Sequence, residues 1–193
     1  MESALATIAA ILGWALLTLA GLGSLYLLAA AIVFCRFFAR RAVPARRTEA
    51  ITLLKPLHGA EPRLMENLAS FLAQEHDGSI QLLCGVQRDD DPAIAAIEAL
   101  RARHPGAAID LVVDSTVHGA NGKVSNLINM MPRAEHPIIV LSDSDIVAAP
   151  DYLARLLAAL DTPGTGVVTC LYRGRGDAGF WSRVGAAGLS GSR

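Results

Sequence analysis

A chain of 193 residues, 52% of them hydrophobic, has room for one ordinary soluble domain and some chain besides. With 17 Lys and Arg against 18 Asp and Glu, it carries no basic surplus for nucleic acid, whose binding rests on neutralising phosphates. Cys35, Cys84 and Cys170 are an odd set without metal-ligand spacing. That excludes a disulfide framework and a zinc site, and fits a reducing compartment.

The extra chain lies at the amino end. No charged residue occurs between Glu2 and Arg36, and Leu, Ala, Ile, Val and Gly dominate the interval. About twenty apolar residues span a bilayer, so residues 3–38 predict one transmembrane helix, tilted or protruding. A cleaved signal peptide would want a basic start and a shorter apolar core, whereas this chain begins Met1-Glu2-Ser3. Arg36, Arg40, Arg41, Arg46 and Arg47 crowd the far side, and no Lys or Arg precedes the helix. The positive-inside rule therefore places the chain beyond Phe38 in the cytoplasm. Residues 39–50 read as a basic linker, whose arginines can also meet anionic headgroups.

From there the pattern alternates. Residues 51–57 form an apolar strand; Pro62 then opens a helix with Leu64, Met65, Leu68, Phe71 and Leu72 on one face. Residues 80–86 are a second strand, ending in Gln87-Arg88-Asp89-Asp90-Asp91, and Pro92 opens a helix carrying Ile94, Ile97 and Leu100. A third strand, 109–113, leads into the loop His118-Gly-Ala-Asn121-Gly122-Lys123 and a helix with Val124, Leu127, Ile128 and Met131 on its apolar face. The fourth strand, 138–141, is followed by a helix from Pro150 with Leu153, Leu156, Leu157 and Leu160, and residues 166–171 form a fifth. Cys84 and Cys170 fall in strands as small core residues. Strands alternating with amphipathic helices predict an α/β, Rossmann-like half-domain with a mostly parallel sheet covered on both faces. It occupies 51–172. Residues 173–193 lose the pattern and read as a tail, so that the sheet's far edge has little to cover it and the domain reads as incomplete.

Three polar clusters leave the carboxyl ends of successive strands: Asp89–Asp91, Asn121-Gly122-Lys123, and Asp143 with Asp145. Open parallel sheets bind ligands on that rim. Two acids one residue apart suit a hard divalent cation that itself holds a diphosphate, a Lys can face phosphate, and a carboxylate can accept from a ribose or a base. Together they describe a nucleotide-diphosphate site without a glycine-rich loop. Each has a plainer reading. The acids before Pro92 suit any helix start, Asn-Gly is an ordinary turn with Lys123 solvated, and His58 reads as a loop histidine. Gly-x-Ser-x-Gly, Cys/His metal spacing and a P-loop lysine are all lacking, which argues against hydrolase, zinc and NTPase classes.

The segments Leu53-Leu54-Lys55-Pro56-Leu57-His58-Gly59, Leu82-Leu83-Cys84-Gly85-Val86-Gln87, Asp90-Asp91-Pro92-Ala93-Ile94, Asn121-Gly122-Lys123-Val124-Ser125-Asn126-Leu127 and Ser142-Asp143-Ser144 resemble the ceramide glucosyltransferase family, including its bacterial relatives acting on hopanoid lipids. The resemblance runs in order from about residue 51 to 171. It implies a membrane-bound, inverting GT-A glycosyltransferase that moves a hexose from a cytoplasmic nucleotide sugar of the UDP-glucose or UDP-GlcNAc type to a ceramide or hopanoid hydroxyl. A divalent cation, Mn²⁺ or Mg²⁺, is implied with it, and the bacterial inner membrane as location. By the same match, Asp91 corresponds to the family's first aspartate, at the nucleotide, and Asp143 to its second, at the metal and diphosphate. Residue chemistry, rather than the match, makes Lys123 a nucleotide-sugar ligand and Asp145 a second metal ligand. The family's catalytic base and Gln-x-x-Arg-Trp motif are expected beyond Arg193. A membrane-anchored α/β module that binds a nucleotide or a partner without catalysis is the alternative.

The topology reading has a direct check. Reporter fusions placed after Arg47 are expected to report a cytoplasmic location, and a periplasmic or lumenal signal overturns it.

Overall fold

A computed structural model describes residues 2–39, 48–59, 61–176 and 179–189. Most of the basic linker expected at 39–50 lies outside the described residues. The chain divides into two compact units, residues 1–42 and 43–193.

The first unit is one helix, α1 (Glu2–Ala39). At 1.5 Å per residue it is roughly 57 Å long, and Ser3–Phe37 is long and apolar enough to cross a membrane, with a mean hydropathy of 2.2. Its hydroxyls do not break that character. Thr7, Thr18 and Ser24 each donate to the carbonyl four residues back, at 2.9, 2.8 and 2.9 Å, so none needs water.

The second unit is built on four strands: β1 (Ile51–Pro56), β2 (Ile80–Val86), β3 (Ala108–Val113) and β4 (Ile138–Leu141). All pair in parallel, in the order β3-β2-β1-β4. Helices α2 (Leu64–Leu72) and α3 (Ala93–Arg103) make the first two returns, α4 (Gly122–Met130) the third, and α5 (Tyr152–Leu160) follows β4. Two returns step in one direction and the third steps back across β1. Right-handed crossovers therefore put α4 on the opposite face from α2 and α3.

Each face of the sheet has its own core. Leu53, Leu82, Cys84 and Val140 pack with Leu68, Phe71, Ile97, Leu100, Leu153 and Leu157 on one face, and Leu54 and Leu83 meet Met130 of α4 on the other. Residues of β1 and β2 are buried almost throughout, as expected of strands covered on both sides.

Four expectations are corrected. Residues 166–171 form no strand: apolar composition supplies propensity but not an edge to pair with, and Val167 and Leu171 stay exposed. Cys170, expected inside that strand, is accordingly exposed, whereas Cys84 is buried in β2 as anticipated. The face of α4 is also rotated. Ser125, Asn126 and Met130 are buried, while Val124, Ile128 and Met131 point outward. Hydrogen bonding overrides hydrophobicity there, because Asn126 Nδ2 donates to the Gly85 carbonyl at 2.8 Å and Ser125 Oγ accepts from His118 N at 3.0 Å. The stretch read as a patternless tail contains α6 (Phe180–Leu189), with Phe180 and Trp181 in edge contact and exposed.

Gly85 is what lets α4 come so close to β2. A Cβ at this position would fall against Met130 Sδ and Asn126 Oδ1, nearer than real side chains approach. Gly85→Ala is expected to cost on the order of 1–3 kcal/mol of unfolding free energy, the usual range for overpacking. Thermal or urea melts of the variant check it; an unchanged midpoint would show that α4 has slack.

Candidate functional site

A crevice opens at the carboxyl ends of β1 and β4, where the strand order reverses and α4 comes in from the face opposite α2. Ligands of open α/β sheets bind at such switch points. Here the crevice is an open cleft of about 480 Å³ walled by Pro56, Leu57 and His58 from β1, Gln87 from β2, Lys123 and Asn126 from α4, and Asp143, Ser144 and Asp145 from β4.

The wall after β4 is held by side chains beneath it. Ser142 N continues the ladder to Leu54 O at 3.2 Å. Helix α2 and the residues just past its end then present polar side chains: Asn67 Nδ2 donates to Ser144 O, Ser70 Oγ accepts from Ala148 N, and Gln74, beyond the C-cap, bridges Ala149 O and Leu153 N, all at 2.9–3.0 Å. These bonds fix a ten-residue connection that has no regular structure of its own. Asp143 and Asp145 themselves stay exposed on it.

Lys123 reaches the same wall. Asn121 caps α4, its side chain accepting from Val124 N at 3.2 Å, so the expected Asn-Gly turn serves as a helix start. That start carries Lys123 to the cleft, where its ammonium pairs with Asp143 Oδ1. Both side chains are about half exposed, at 47% and 55%.

Asp91 takes another position. It is 6% exposed and does not wall the cleft. Its carboxylate accepts from Gly59 N at 3.0 and 3.1 Å and from Ala93 N at 2.9 Å, and His58 Nδ1 lies 3.6 Å away. Asp91 thus ties the loop after β1 to the start of α3, and Gly59 bends there at φ +74°, a value that favours glycine. His58, read as a loop histidine, joins Asp91 to the cleft wall. Asp89 and Asp90 are exposed, and Asp90 pairs with Arg88.

One residue of the site went unread in the sequence. Lys55 is fully buried in β1. Its Nζ donates to Ser142 Oγ and to the Asp143 carbonyl, both at 2.9 Å, and sits 3.4 Å from the centroid of the Phe71 ring. Burial pulls the ammonium down to about 7, against the opposing charges of Cys84, Asp143, Asp145 and Glu61. Burial likewise pushes the neighbouring Cys84 thiol up to about 12. The signal was a charge inside an otherwise apolar strand.

A divalent cation fits the carboxylates here only as a shared ligand set. Asp143 and Asp145 offer hard oxygens on an open wall, and a cation, the Lys123 ammonium, already rests on Asp143. No group of three or more acidic, His or Cys side chains suited to a metal occurs among the described residues. The balance of the coordination would have to come from diphosphate oxygens and water, as hard cations commonly accept.

A parallel sheet with its cleft at the switch point and acids leaving β4 fits the GT-A glycosyltransferase fold, and a solved structure of that fold matches it. A mannosyltransferase from Pyrobaculum calidifontis, solved with GDP-Man and Mn²⁺, superposes with a TM-score of 0.58 over 72% of this chain and 41% of that one, at 22% identity. The profile of glycosyl transferase family 21 matches residues 15–193, and the chain belongs to that family. Ceramide glucosyltransferase 1 of Caenorhabditis elegans is 28% identical over 144 residues, 72% of this chain and 31% of the relative. The ceramide glucosyltransferase of Candida albicans is 27% identical over 124 residues, 58% and 23% respectively. The chain thus spans less than a third of the length of these curated relatives.

Asp91 gives this geometry a test. Asp91→Ala strands the N–H groups of Gly59 and Ala93 and is expected to cost about 1–3 kcal/mol of stability, whereas Asp89→Asn should leave the melt unchanged. Equal melts for wild type and Asp91→Ala would remove Asp91 as the tie between β1 and α3.

Proposed function

We propose that this glycosyltransferase chain is the donor-binding portion of a membrane-bound, inverting enzyme. Held to the membrane by α1, with the second unit in the cytoplasm, it takes a nucleotide sugar of the UDP-glucose or UDP-GlcNAc type and serves transfer of the hexose to a lipid hydroxyl, of ceramide or a hopanoid. The observation that carries this reading is the meeting of Lys123, Asp143 and Asp145 around one cleft at the switch point.

In this reading, Asp143 and Asp145 would hold a Mn²⁺ or Mg²⁺ ion together with the donor diphosphate, Asp143 foremost. When bound, the ion supplies charge neutralisation where negative charge develops on the departing phosphate oxygen. Lys123 leaves Asp143 and turns its ammonium to the same phosphates. The tie made by Asp91 keeps the His58–Gly59 wall in place beside the nucleotide, so its contribution to donor binding runs through that wall. Inversion follows from in-line attack of the lipid hydroxyl on the anomeric carbon as the nucleotide diphosphate leaves. A carboxylate near that hydroxyl would take its proton.

Nucleotide-sugar affinity, measured with Mn²⁺ and with chelator, separates the roles. Asp143→Asn keeps the size of the side chain but removes a charge facing the cation. It should nearly abolish metal-dependent donor binding, a loss of at least roughly 10–100-fold. Asp145→Asn is expected to weaken binding by less, and Asp89→Asn scarcely at all. Donor binding by Asp143→Asn as tight as wild type in the presence of metal would show the site to be elsewhere.

A further inference from the structure

Lys55 sits where a sheet buried on both faces would ordinarily place an apolar side chain, and burying an ammonium is costly. Its contacts are directional. Nζ takes the Ser142 hydroxyl and the Asp143 carbonyl at 2.9 Å each, with the face of Phe71 behind it. The next carbonyl, Ser144 O, is taken by the buried Asn67 Nδ2 at 3.0 Å. Two successive carbonyls are thus drawn inward onto the domain, while the carboxylates of Asp143 and Asp145 stay outside on the cleft wall.

We infer that Lys55 is a positioning residue of the donor site, fixing the backbone of 142–144 from beneath so that Asp143 and Asp145 face the cleft. The inference rests on the donor-site reading under Proposed function. Sign separates this role from a purely electrostatic one. A positive charge behind a cation site repels the cation, so removing it should tighten metal binding if charge were all that mattered. Loss of positioning weakens binding instead.

The test uses the full chain in detergent micelles with UDP-glucose present, and Mn²⁺ binding is followed by the electron paramagnetic resonance of the free ion against a protein-free control. Lys55→Met keeps an unbranched apolar stem against Phe71 and removes only the ammonium. Thr52→Val, on the same strand, is the control: Thr52 Oγ1 is buried, donates to Gln81 Oε1 at 2.7 Å and accepts from His136 N at 3.2 Å, away from the cleft. Lys55→Met is expected to weaken Mn²⁺ binding about tenfold or more, as loss of a residue that orients a metal ligand does. Ser142→Ala, which leaves the core alone, should cost about fivefold, one hydrogen bond's worth. Thr52→Val should leave affinity unchanged. Amide exchange over residues 142–149 should quicken in Lys55→Met and not in Thr52→Val. Mn²⁺ affinity equal to or tighter than wild type in Lys55→Met overturns the inference alone, as does an equal loss in Thr52→Val. A wild-type chain that binds no Mn²⁺ overturns the donor-site reading and this inference with it.

Discussion

Parallel strands force every connection across a face of the sheet, and the reversal at the third connection governs what the second unit can do. Because β4 returns to the far side of β1, α4 lies on the face opposite α2, α3 and α5, and a cleft opens between its start and the loops that follow β1 and β4. The loops on either side inherit their positions from this. His58 and Gly59 follow β1, Asp143 to Asp145 follow β4, and α4, forced onto the opposite face by the change of direction, brings Lys123 in from the third side. Three segments far apart in the chain become neighbours through handedness and strand order.

Strand order fixes where the loops start, but not their shape, and the ten residues after β4 form no regular element. Their shape comes from α2. Its apolar face, Leu64, Leu68 and Phe71, seals the core, while Asn67 and Ser70, with Gln74 just past its end, take the backbone groups of the loop. Backbone groups removed from water must find partners, and here side chains supply them where a sheet or helix would otherwise do so. A rigid helix thereby lends its order to a loop that carries exposed acids.

How much of this was legible beforehand divides along the same line. Four of the five strands, the alternation with helices, and the apolar faces of α2 and α3 follow from periodicity, because burial on a sheet repeats with the geometry of each element. The segment 166–171 shows where that logic ends: Val167 and Val168 satisfy a strand's composition, yet pairing depends on a partner edge that composition does not report. Helix α4 fails for a different reason. Its buried face carries Ser125 and Asn126, which are inside because the Gly85 carbonyl and the His118 amide need partners; a hydrophobic pattern cannot register that demand. In the site, Lys123, Asp143 and Asp145 were legible as residues leaving strand ends. The inward position of Asp91 was not, since an acid before a helix can serve the helix, a ligand or a neighbouring loop with the same sequence. Lys55 went unread, although a charge inside a buried strand was a signal, and its partners emerge only through the fold.

The cleft's charges differ in kind from those beneath it. The Lys123–Asp143 pair is half exposed on both sides, and pairs of that sort contribute about 0–1 kcal/mol because water and salt screen them. Exchanging the pair for other partners therefore costs little. Lys55 and Asp91 are buried and bound to fixed backbone atoms, so they cannot let go without leaving polar groups unsatisfied. Exchangeable charges face the opening, and committed ones hold the walls that present them. On the donor-site reading proposed above, a cleft that admits a cation and a diphosphate together, and later releases them, needs both kinds in that arrangement.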